Sequence, residues 1–160
     1  METAGRGLAV IALEMLDDLG DGPVVVLAGT GGNGGGGITA GRHLANRGVD
    51  VLVTVTDPTS LGEVPAFQLR VFDATQGKVV GLDDLDGVTP VLITDATVVG
   101  YSPHGAPRGA AEEMIEWANT QATDVLSLDV PSGVYATSGV TPGVFVTPDR
   151  TPTLALPQTG

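Results

Sequence analysis

The sequence predicts an α/β fold of the three-layer α/β/α type, a Rossmann-like, doubly wound and mostly parallel sheet with helices on both faces. Short runs of Val, Leu and Ile alternate with helix-forming segments along the 160 residues, which is the order typical of parallel sheets. These runs are apolar without alternation, as in strands that are covered on both faces. Aromatic residues make up only 4% of the chain, so aliphatic side chains must build the core.

The first half of the chain predicts a helix, a strand, a glycine loop, a second helix and a second strand. Residues 2–18 carry apolar side chains at helical spacing, and residues 23–28 form a valine-rich strand. A loop over residues 29–37 leads into a helix at 38–47, which ends before Gly48. The second strand then covers residues 49–56.

The third helix is predicted at residues 65–76, where Phe67, Val71 and Phe72 supply its apolar contacts. The stretch from 78 to 87 shows no clear pattern. Its carboxylates, Asp83, Asp84 and Asp86, are best explained as a solvated loop.

The second half continues the alternation of strands and helices. Residues 91–95 predict a third buried strand, and Pro107 suits the first turn of a helix that runs to Thr120. Residues 125–129 predict a fourth strand, and short apolar runs at 144–146 and 152–156 suggest edge strands. Right-handed connections between such strands give a doubly wound sheet.

Composition excludes several kinds of partner. The net charge is −12 and Lys78 is the single lysine, so neither a nucleic acid nor an anionic membrane would find a basic surface. The apolar stretch from Leu8 to Leu13 is far too short to span a bilayer. With no cysteine there is no disulfide framework and no thiolate metal site, and a cytoplasmic location is expected.

Glycine fills seven of the nine positions from 29 to 37. Between a strand and a helix, such a loop predicts backbone N–H groups that cradle a phosphate, while a simple tight connector is the alternative. A Walker P-loop is excluded because no Lys-Ser or Lys-Thr pair follows. Gly29, Gly31 and Gly34 also satisfy G-x-G-x-x-G, with Asp57 as the ribose ligand that an NAD-dependent oxidoreductase would use.

Polar side chains gather where the predicted strands end. Asp95 follows the third strand, and Asp129 and Ser132 follow the fourth, so all three are expected at the ligand-binding edge of the sheet. Local turns that satisfy these groups are the alternative. A hydrolytic triad of His104, Ser132 and an aspartate is disfavoured because no G-x-S-x-G motif is present.

Five segments carry a resemblance to a known family. Residues 1–6, M-E-T-A-G-R, resemble the family's M-E-N-A-G-R, and the glycine loop is similar to its G-P-G-N-N-G-G-D-G. Residues 93–109 resemble V-D-A-x-x-G-Y-S and G-x-P-R-G, residues 129–133 resemble D-I-P-S-G, and residues 154–160 resemble L-x-L-P-K-T-G. By these motifs, in this order, the chain is identified as a member of the YjeF N-terminal domain family, the NAD(P)H-hydrate epimerases.

The resemblance implies an isomerase, as a single domain over residues 1–160 that is shorter than the family at both ends. Its reaction would interconvert the R and S forms of hydrated NADH and NADPH at C6 of the nicotinamide ring. A potassium ion would be the cofactor, with Asn33, Asp95 and Ser132 as ligands. An NAD(P)H-hydrate dehydratase would be a functional partner.

The resemblance also implies the remaining site residues. Asp129 and Asp95 would be catalytic. Substrate contacts would come from the glycine loop, the following rim segment and one aspartate: Gly32, Asn33, Gly34, Gly35, Gly36, Gly100, Tyr101, Ser102, Arg108 and Asp129. The chain departs from the family at Gly32, Gly36 and Gln158, where Asn, Asp and Lys are usual. A non-catalytic nucleotide-binding or scaffold domain is the alternative function, and the sequence leaves formation of a homodimer open.

Overall fold

The computed structural model describes residues 1–97 and 105–154. Its helices and strands are α1 Glu2–Leu19, β1 Val24–Ala28, α2 Gly32–Ala45, β2 Val51–Val55, α3 Glu63–Asp73, β3 Lys78–Val79, β4 Leu92–Ala96, α4 Ala110–Thr120 and β5 Asp124–Ser127. Short 3-10 turns lie at Pro58–Ser60 and Leu82–Leu85. None of the helices within these ranges has the length and apolar character needed to cross a membrane.

The five strands form one parallel sheet in the order β3-β2-β1-β4-β5. The chain moves outward from β1 to β3, then returns to the other side of β1 with β4, so the strand order reverses between β1 and β4. Doubly wound sheets bind ligands in the crevice beyond the carboxyl ends at such a switch point. Gly29 after β1 and Thr97 after β4 border this crevice.

Two apolar layers enclose the sheet and confirm the predicted three-layer α/β/α class. Alternate residues of β1 serve the two layers, since Val24 and Val26 pack with α1 and α2 while Val25 and Leu27 pack with α4. All four side chains are fully buried, and burial of such a side chain contributes about 1.5–3 kcal/mol. The sheet is therefore held from both faces around its central strand.

The helix after the glycine loop begins earlier than predicted. It starts at Gly32 rather than at residue 38, so most of the predicted loop is helical. The reason is tertiary packing: a Cβ atom on Gly37 would lie 2.6 Å from the Cβ of Ala96 on β4. Only glycine lets the helix approach the sheet this closely, and that contact overrides its low helix propensity.

Two predictions on α3 and α4 were also wrong. Phe72 is buried as predicted, but Phe67 is 52% exposed, because the two side chains lie on different faces of α3. Pro107 precedes α4 rather than occupying its first turn, since Gly109 is the N-cap with φ of 60°. A left-handed residue ends the preceding loop and sets the helix start after it.

Neither predicted edge strand is formed in the residues that the structure describes, and residues 155–156 of the second lie outside them. Residues 144–146 form no strand, although the N–H of Val146 donates to the carbonyl of Ser132 at 2.9 Å. Residues 149–152 run beside β5 and pair with it through single bonds, in which Ser127 N–H donates to Arg150 O at 3.0 Å and Asp129 N–H to Pro152 O at 2.9 Å. We call residues 149–152 the edge segment.

Candidate functional site

The glycine-rich turn after β1 is pressed against the end of β4. Gly29 N–H donates to the carbonyl of Ala96 at 2.9 Å, and a Cβ on Gly29 would lie 2.0 Å from the carbonyl oxygen of Thr97. A Cβ on Gly34 would in turn lie 1.9 Å from the carbonyl oxygen of Gly29. Residues 29 and 34 must therefore be glycine for this turn to lie at the switch point.

Gly31 and Gly32 have a different environment. Both are exposed, and a Cβ on either would meet no atom within 4 Å. Gly31 is the N-cap of α2 and provides no side-chain cap. The first N–H groups of a helix have no intrahelical acceptor, and the helix dipole favours an anion beside them. This part of the loop is open to a phosphate, whereas Gly34, Gly35 and Gly36 lie buried within the helix.

Asp95 is the centre of a buried polar cluster at the carboxyl ends of β4 and β5. Its Oδ1 accepts hydrogen bonds from Ser132 Oγ at 2.6 Å and from Thr97 N–H at 3.3 Å. Its Oδ2 accepts from Ser127 Oγ at 2.8 Å and from Ser132 N–H at 2.9 Å. Asp95, Ser127 and Ser132 have no exposed surface. The structure thus joins two of the three predicted potassium ligands directly.

The four donors to Asp95 carry no charge. A buried carboxylate is costly unless its charge is offset, so this cluster suits a cation nearby. The hydroxyls of Ser127 and Ser132 both donate their protons to Asp95, and a hydroxyl oxygen that donates its proton can still act as an acceptor or as a ligand. Ser127 is the register neighbour of Asp95 on β5, and the sequence analysis missed it. A serine within an otherwise apolar buried strand was the signal that could have revealed it.

Asn33, the third predicted potassium ligand, lies in the first turn of α2. Its Nδ2 is buried and has no hydrogen-bond partner in the part of the chain that the structure describes. Turning the amide over would place the oxygen there, since the two orientations are assigned from hydrogen bonding. Within the described residues no three His, Cys, Asp or Glu side chains form a metal-binding group. The candidate ion site is therefore one of mixed amide, hydroxyl and carboxylate oxygens, which suits a hard cation.

Asp129 lies after β5 in a strained backbone conformation. Its φ of 68° is the one positive value among the described residues other than glycine, and such conformations concentrate at functional sites. Its N–H donates to the edge segment at Pro152, and its Oδ1 accepts from Leu154 N–H at 3.1 Å. Unlike Asp95, Asp129 is only partly buried. Its carboxylate is thus held at the rim.

Several predicted substrate contacts cannot be located at this site. Gly100, Tyr101 and Ser102, together with His104, lie outside the described residues. Arg108 is exposed in the loop just before α4. These assignments stay predictions.

Asp57, the ribose ligand of the oxidoreductase alternative, is engaged within its own turn. Its Oδ1 accepts from Thr59 N–H at 3.0 Å and from Thr59 Oγ1 at 2.6 Å, and its Oδ2 accepts from Ser60 Oγ at 2.6 Å. The hydrogen bonds from Ser60 and then Thr59 hold the pKa of the Asp57 carboxyl below its ordinary value. A ribose hydroxyl would have to compete with these donors, which weighs against the oxidoreductase alternative.

Two clefts differ in their relation to the site. A cleft of about 380 Å³ is lined by Leu128, by the residues around Leu154 and by the start of α1. Its lining thus includes the residue before Asp129 and the residue whose N–H donates to Asp129. A larger cleft of about 750 Å³ lies where α1 ends and β1 begins, and its lining includes Glu14, Asp17 and Asp50. Its carboxylates would repel a dinucleotide, and parallel sheets bind ligands at the opposite edge.

The chain has clear relatives among known proteins. It is 48% identical over 166 residues to an NAD(P)H-hydrate epimerase of Dehalogenimonas lykanthroporepellens, an alignment that covers 100% of this chain and 65% of that protein. It is 34% identical over 176 residues to a bifunctional NAD(P)H-hydrate repair enzyme, Nnr, of Salinibacter ruber, covering 100% of this chain and 32% of the relative. The chain thus spans less than two thirds of the length of these relatives.

A structural comparison and a family match point to the same group of proteins as these relatives. The crystal structure of the yeast protein YNL200c superposes with a TM-score of 0.81 at 23% identity, covering 94% of this chain and 68% of that one. This similarity supports the fold. The family described as YjeF-related protein N-terminus matches residues 1–160. The chain therefore belongs to the YjeF-related protein N-terminus family.

Proposed function

We propose that the protein is an NAD(P)H-hydrate epimerase that interconverts the R and S forms of hydrated NADH and NADPH. The observation that carries the proposal is the contact of Asp95 with Ser132 beside the bare N-terminus of α2 at the switch point. The relative that is 48% identical bears the same activity in its name.

The pyrophosphate of the substrate is proposed to bind at the start of α2. The N–H groups of Gly32, Asn33 and Gly34 occupy the helix positions that lack intrahelical acceptors. Gly35 N–H already donates to Gly31 O at 3.0 Å, and Gly35 and Gly36 are buried against the side chains of Met1 and Leu128, so their proposed role is to let α2 pack closely rather than to contact the substrate. Arg108 and the segment that contains Gly100, Tyr101 and Ser102 would complete the substrate contacts.

The residues at this rim fit a potassium ion. Asp95 would supply the charge, and Asn33 and Ser132 would supply neutral oxygens. When bound, such an ion offsets the negative charge that Asp95 and the pyrophosphate bring together. The structural observation that supports this role is the buried Nδ2 of Asn33, which has no hydrogen-bond partner within the described residues.

Asp129 is the better candidate for proton exchange at C6 of the nicotinamide ring. Its carboxyl would give a proton to the departing hydroxyl while the ring nitrogen lone pair expels it, and would receive a proton from the water that adds to the other face. Each of the two carboxylate oxygens of Asp95 already accepts two hydrogen bonds. A proton on either oxygen would therefore displace one of these four donors. We assign Asp95 to holding the hydroxyls of the site.

The test is to supply the R form of hydrated NADH and follow the S form by chromatography, with and without potassium and beside a protein-free control. Formation of the S form well above the control is expected. Tight binding without turnover would instead indicate a non-catalytic nucleotide-binding or scaffold domain, and hydride transfer to a carbonyl compound would indicate an oxidoreductase.

A wider setting follows from the same proposal. An NAD(P)H-hydrate dehydratase that acts on one epimer would be the functional partner, as the bifunctional naming of the Salinibacter ruber relative suggests. A cytoplasmic location is proposed on the cysteine-free composition.

A further inference from the structure

Thr97 has a buried hydroxyl that none of the contacts described so far uses. The residue is 6% exposed, and its Oγ1 has no hydrogen-bond partner among residues 1–97 and 105–154. A buried hydroxyl that has lost its bonds to water and gained no partner destabilises the fold. A bound ligand that interacts with the Thr97 hydroxyl would remove this destabilisation.

The backbone of Thr97 contacts both parts of the candidate site. Its N–H donates to Asp95 Oδ1, the same oxygen that accepts from Ser132 Oγ. Its carbonyl oxygen lies against Gly29, the first residue of the glycine-rich turn. Thr97 therefore lies between the Asp95 cluster and the glycine-rich turn.

A second buried polar group without a partner occurs on the same rim. Asn33 Nδ2 also lacks a hydrogen bond to any described residue, and Asn33 directly precedes Gly34, which packs on Gly29. Two such groups on either side of one turn are explained together if a single bound species meets both. The buried charge of Asp95, whose donors are all neutral, indicates that this species is a cation.

We propose that Thr97 Oγ1 is a further oxygen ligand of the monovalent cation held by Asn33, Asp95 and Ser132. This inference rests on the proposed function for the identity of the ion. A threonine hydroxyl offers two lone pairs, and cation binding would use them where the protein supplies no donor.

Three variants separate this role from simple packing. Thr97→Val keeps the side-chain volume and removes the hydroxyl, while Thr97→Ser keeps the hydroxyl and removes the methyl group. Thr94→Val is the matched control, because Thr94 Oγ1 is likewise buried without a partner but lies within β4 between Val26 and Leu126. Free energies of unfolding are measured for each in potassium chloride and in choline chloride of equal ionic strength.

Binding of potassium to the folded state raises the free energy of unfolding with potassium concentration. For Thr97→Val we expect unchanged or higher stability in choline chloride, because an unsatisfied group is removed, and a half-saturating potassium concentration raised about tenfold or more. Thr97→Ser and Thr94→Val should keep the potassium response of the natural chain.

The opposite results would overturn the proposal. They are a natural potassium response in Thr97→Val, a lost response in Thr97→Ser or Thr94→Val, lower stability of Thr97→Val in choline chloride, or no potassium response in the natural chain. Turnover of hydrated NADH is measured separately. Turnover together with any of these results would remove the ligand assignment and leave the proposed function standing.

Discussion

Asp95 and Asp129 follow neighbouring parallel strands but differ in their surroundings. Asp95 is fully buried and receives four neutral donors, whereas Asp129 is partly exposed at the rim in a left-handed conformation. A general acid or base must be able to take up and release a proton without losing its structural contacts. This difference supports the proposal that Asp129 exchanges the proton and that Asp95 holds the hydroxyl groups of the site.

Asp129→Asn should therefore lower kcat for epimerisation by about 10² to 10⁴, the usual contribution of general acid and base catalysis. The fold should survive, because asparagine tolerates a positive φ and its amide oxygen can accept the N–H of Leu154. Urea unfolding should show a change below about 1 kcal/mol. The control is Asp57→Asn at the end of β2, which should keep kcat within about twofold. Equal losses in both variants would contradict the assignment.

Glu2 at the start of α1 should contribute stability that depends on pH. Arg42 and His43 of α2 hydrogen-bond its carboxylate, and each has a nitrogen 2.7 Å from Glu2 Oε1. These hydrogen bonds, first that of Arg42 and then that of His43, lower the pKa of Glu2 below its ordinary value. A lowered folded-state pKa means that the contribution is present above the unfolded pKa and lost as pH falls through the folded pKa.

Glu2→Gln should accordingly lower the melting temperature near about pH 6 and converge with the natural chain as pH falls below the unfolded pKa of Glu2. The pair is exposed, so the loss should stay below about 1 kcal/mol. Glu14→Gln, which removes an exposed charge from the same helix, is the control and should show no such convergence. A difference between Glu2→Gln and the natural chain that persists at low pH would argue against the ion pair as its cause.

Some of the site residues could be predicted from the sequence and others could not. Asp95 and Ser132 were predicted to share a site, and the structure brings them into contact. Ser127 and Thr97 were missed, because Ser127 lies in none of the five motif segments and Thr97 occupies a variable position of the segment 93–109. Contacts across a sheet are set by register, which local patterns do not contain.

At the scale of elements, the glycines of α2 and α1 should respond in opposite ways to alanine. Gly37→Ala places a Cβ 2.6 Å from that of Ala96, which has no flexible end to move, so a loss of about 1–3 kcal/mol is expected. Gly7→Ala in α1 meets no atom within 4 Å and should gain about 0.5–1 kcal/mol from helix propensity. Urea unfolding of both variants tests this. A gain for Gly37→Ala would show that α2 does not need its glycines for packing.

The same contrast explains which elements the sequence predicted. Strands β1, β2 and β4 were predicted with ends shifted by at most two residues, because continuous runs such as Val24–Ala28 are buried on both faces. The start of α2 was wrong because a run of glycine reads locally as a loop. Its helical state depends on neighbours in β1 and β4, a tertiary effect that outweighs propensity.

At the scale of the molecule, charge opposes the proposed substrate. The chain carries 19 acidic and 7 basic residues, a net charge of −12, and the dinucleotide is an anion. Long-range repulsion slows association and is screened by salt. The backbone N–H groups at the start of α2 act only at short range.

We therefore expect kcat/KM for hydrated NADH to rise by about two- to tenfold as ionic strength increases from about 20 to 300 mM. Choline chloride supplies the salt while potassium is kept constant and saturating, and kcat should change little. A fall of kcat/KM with salt would instead reveal a local positive field that guides the substrate.

The edge segment, residues 149–152, connects the border of the sheet with the proposed catalytic residue. It shields the outer side of β5, where bare strands invite aggregation, and it leads directly to Leu154, whose N–H anchors Asp129. Detachment of this segment would therefore expose the unpaired edge of β5 and at the same time release Asp129, the proposed proton-transfer residue. Molecules inactivated in this way should also aggregate. Loss of turnover and loss of solubility should therefore appear together on gentle heating.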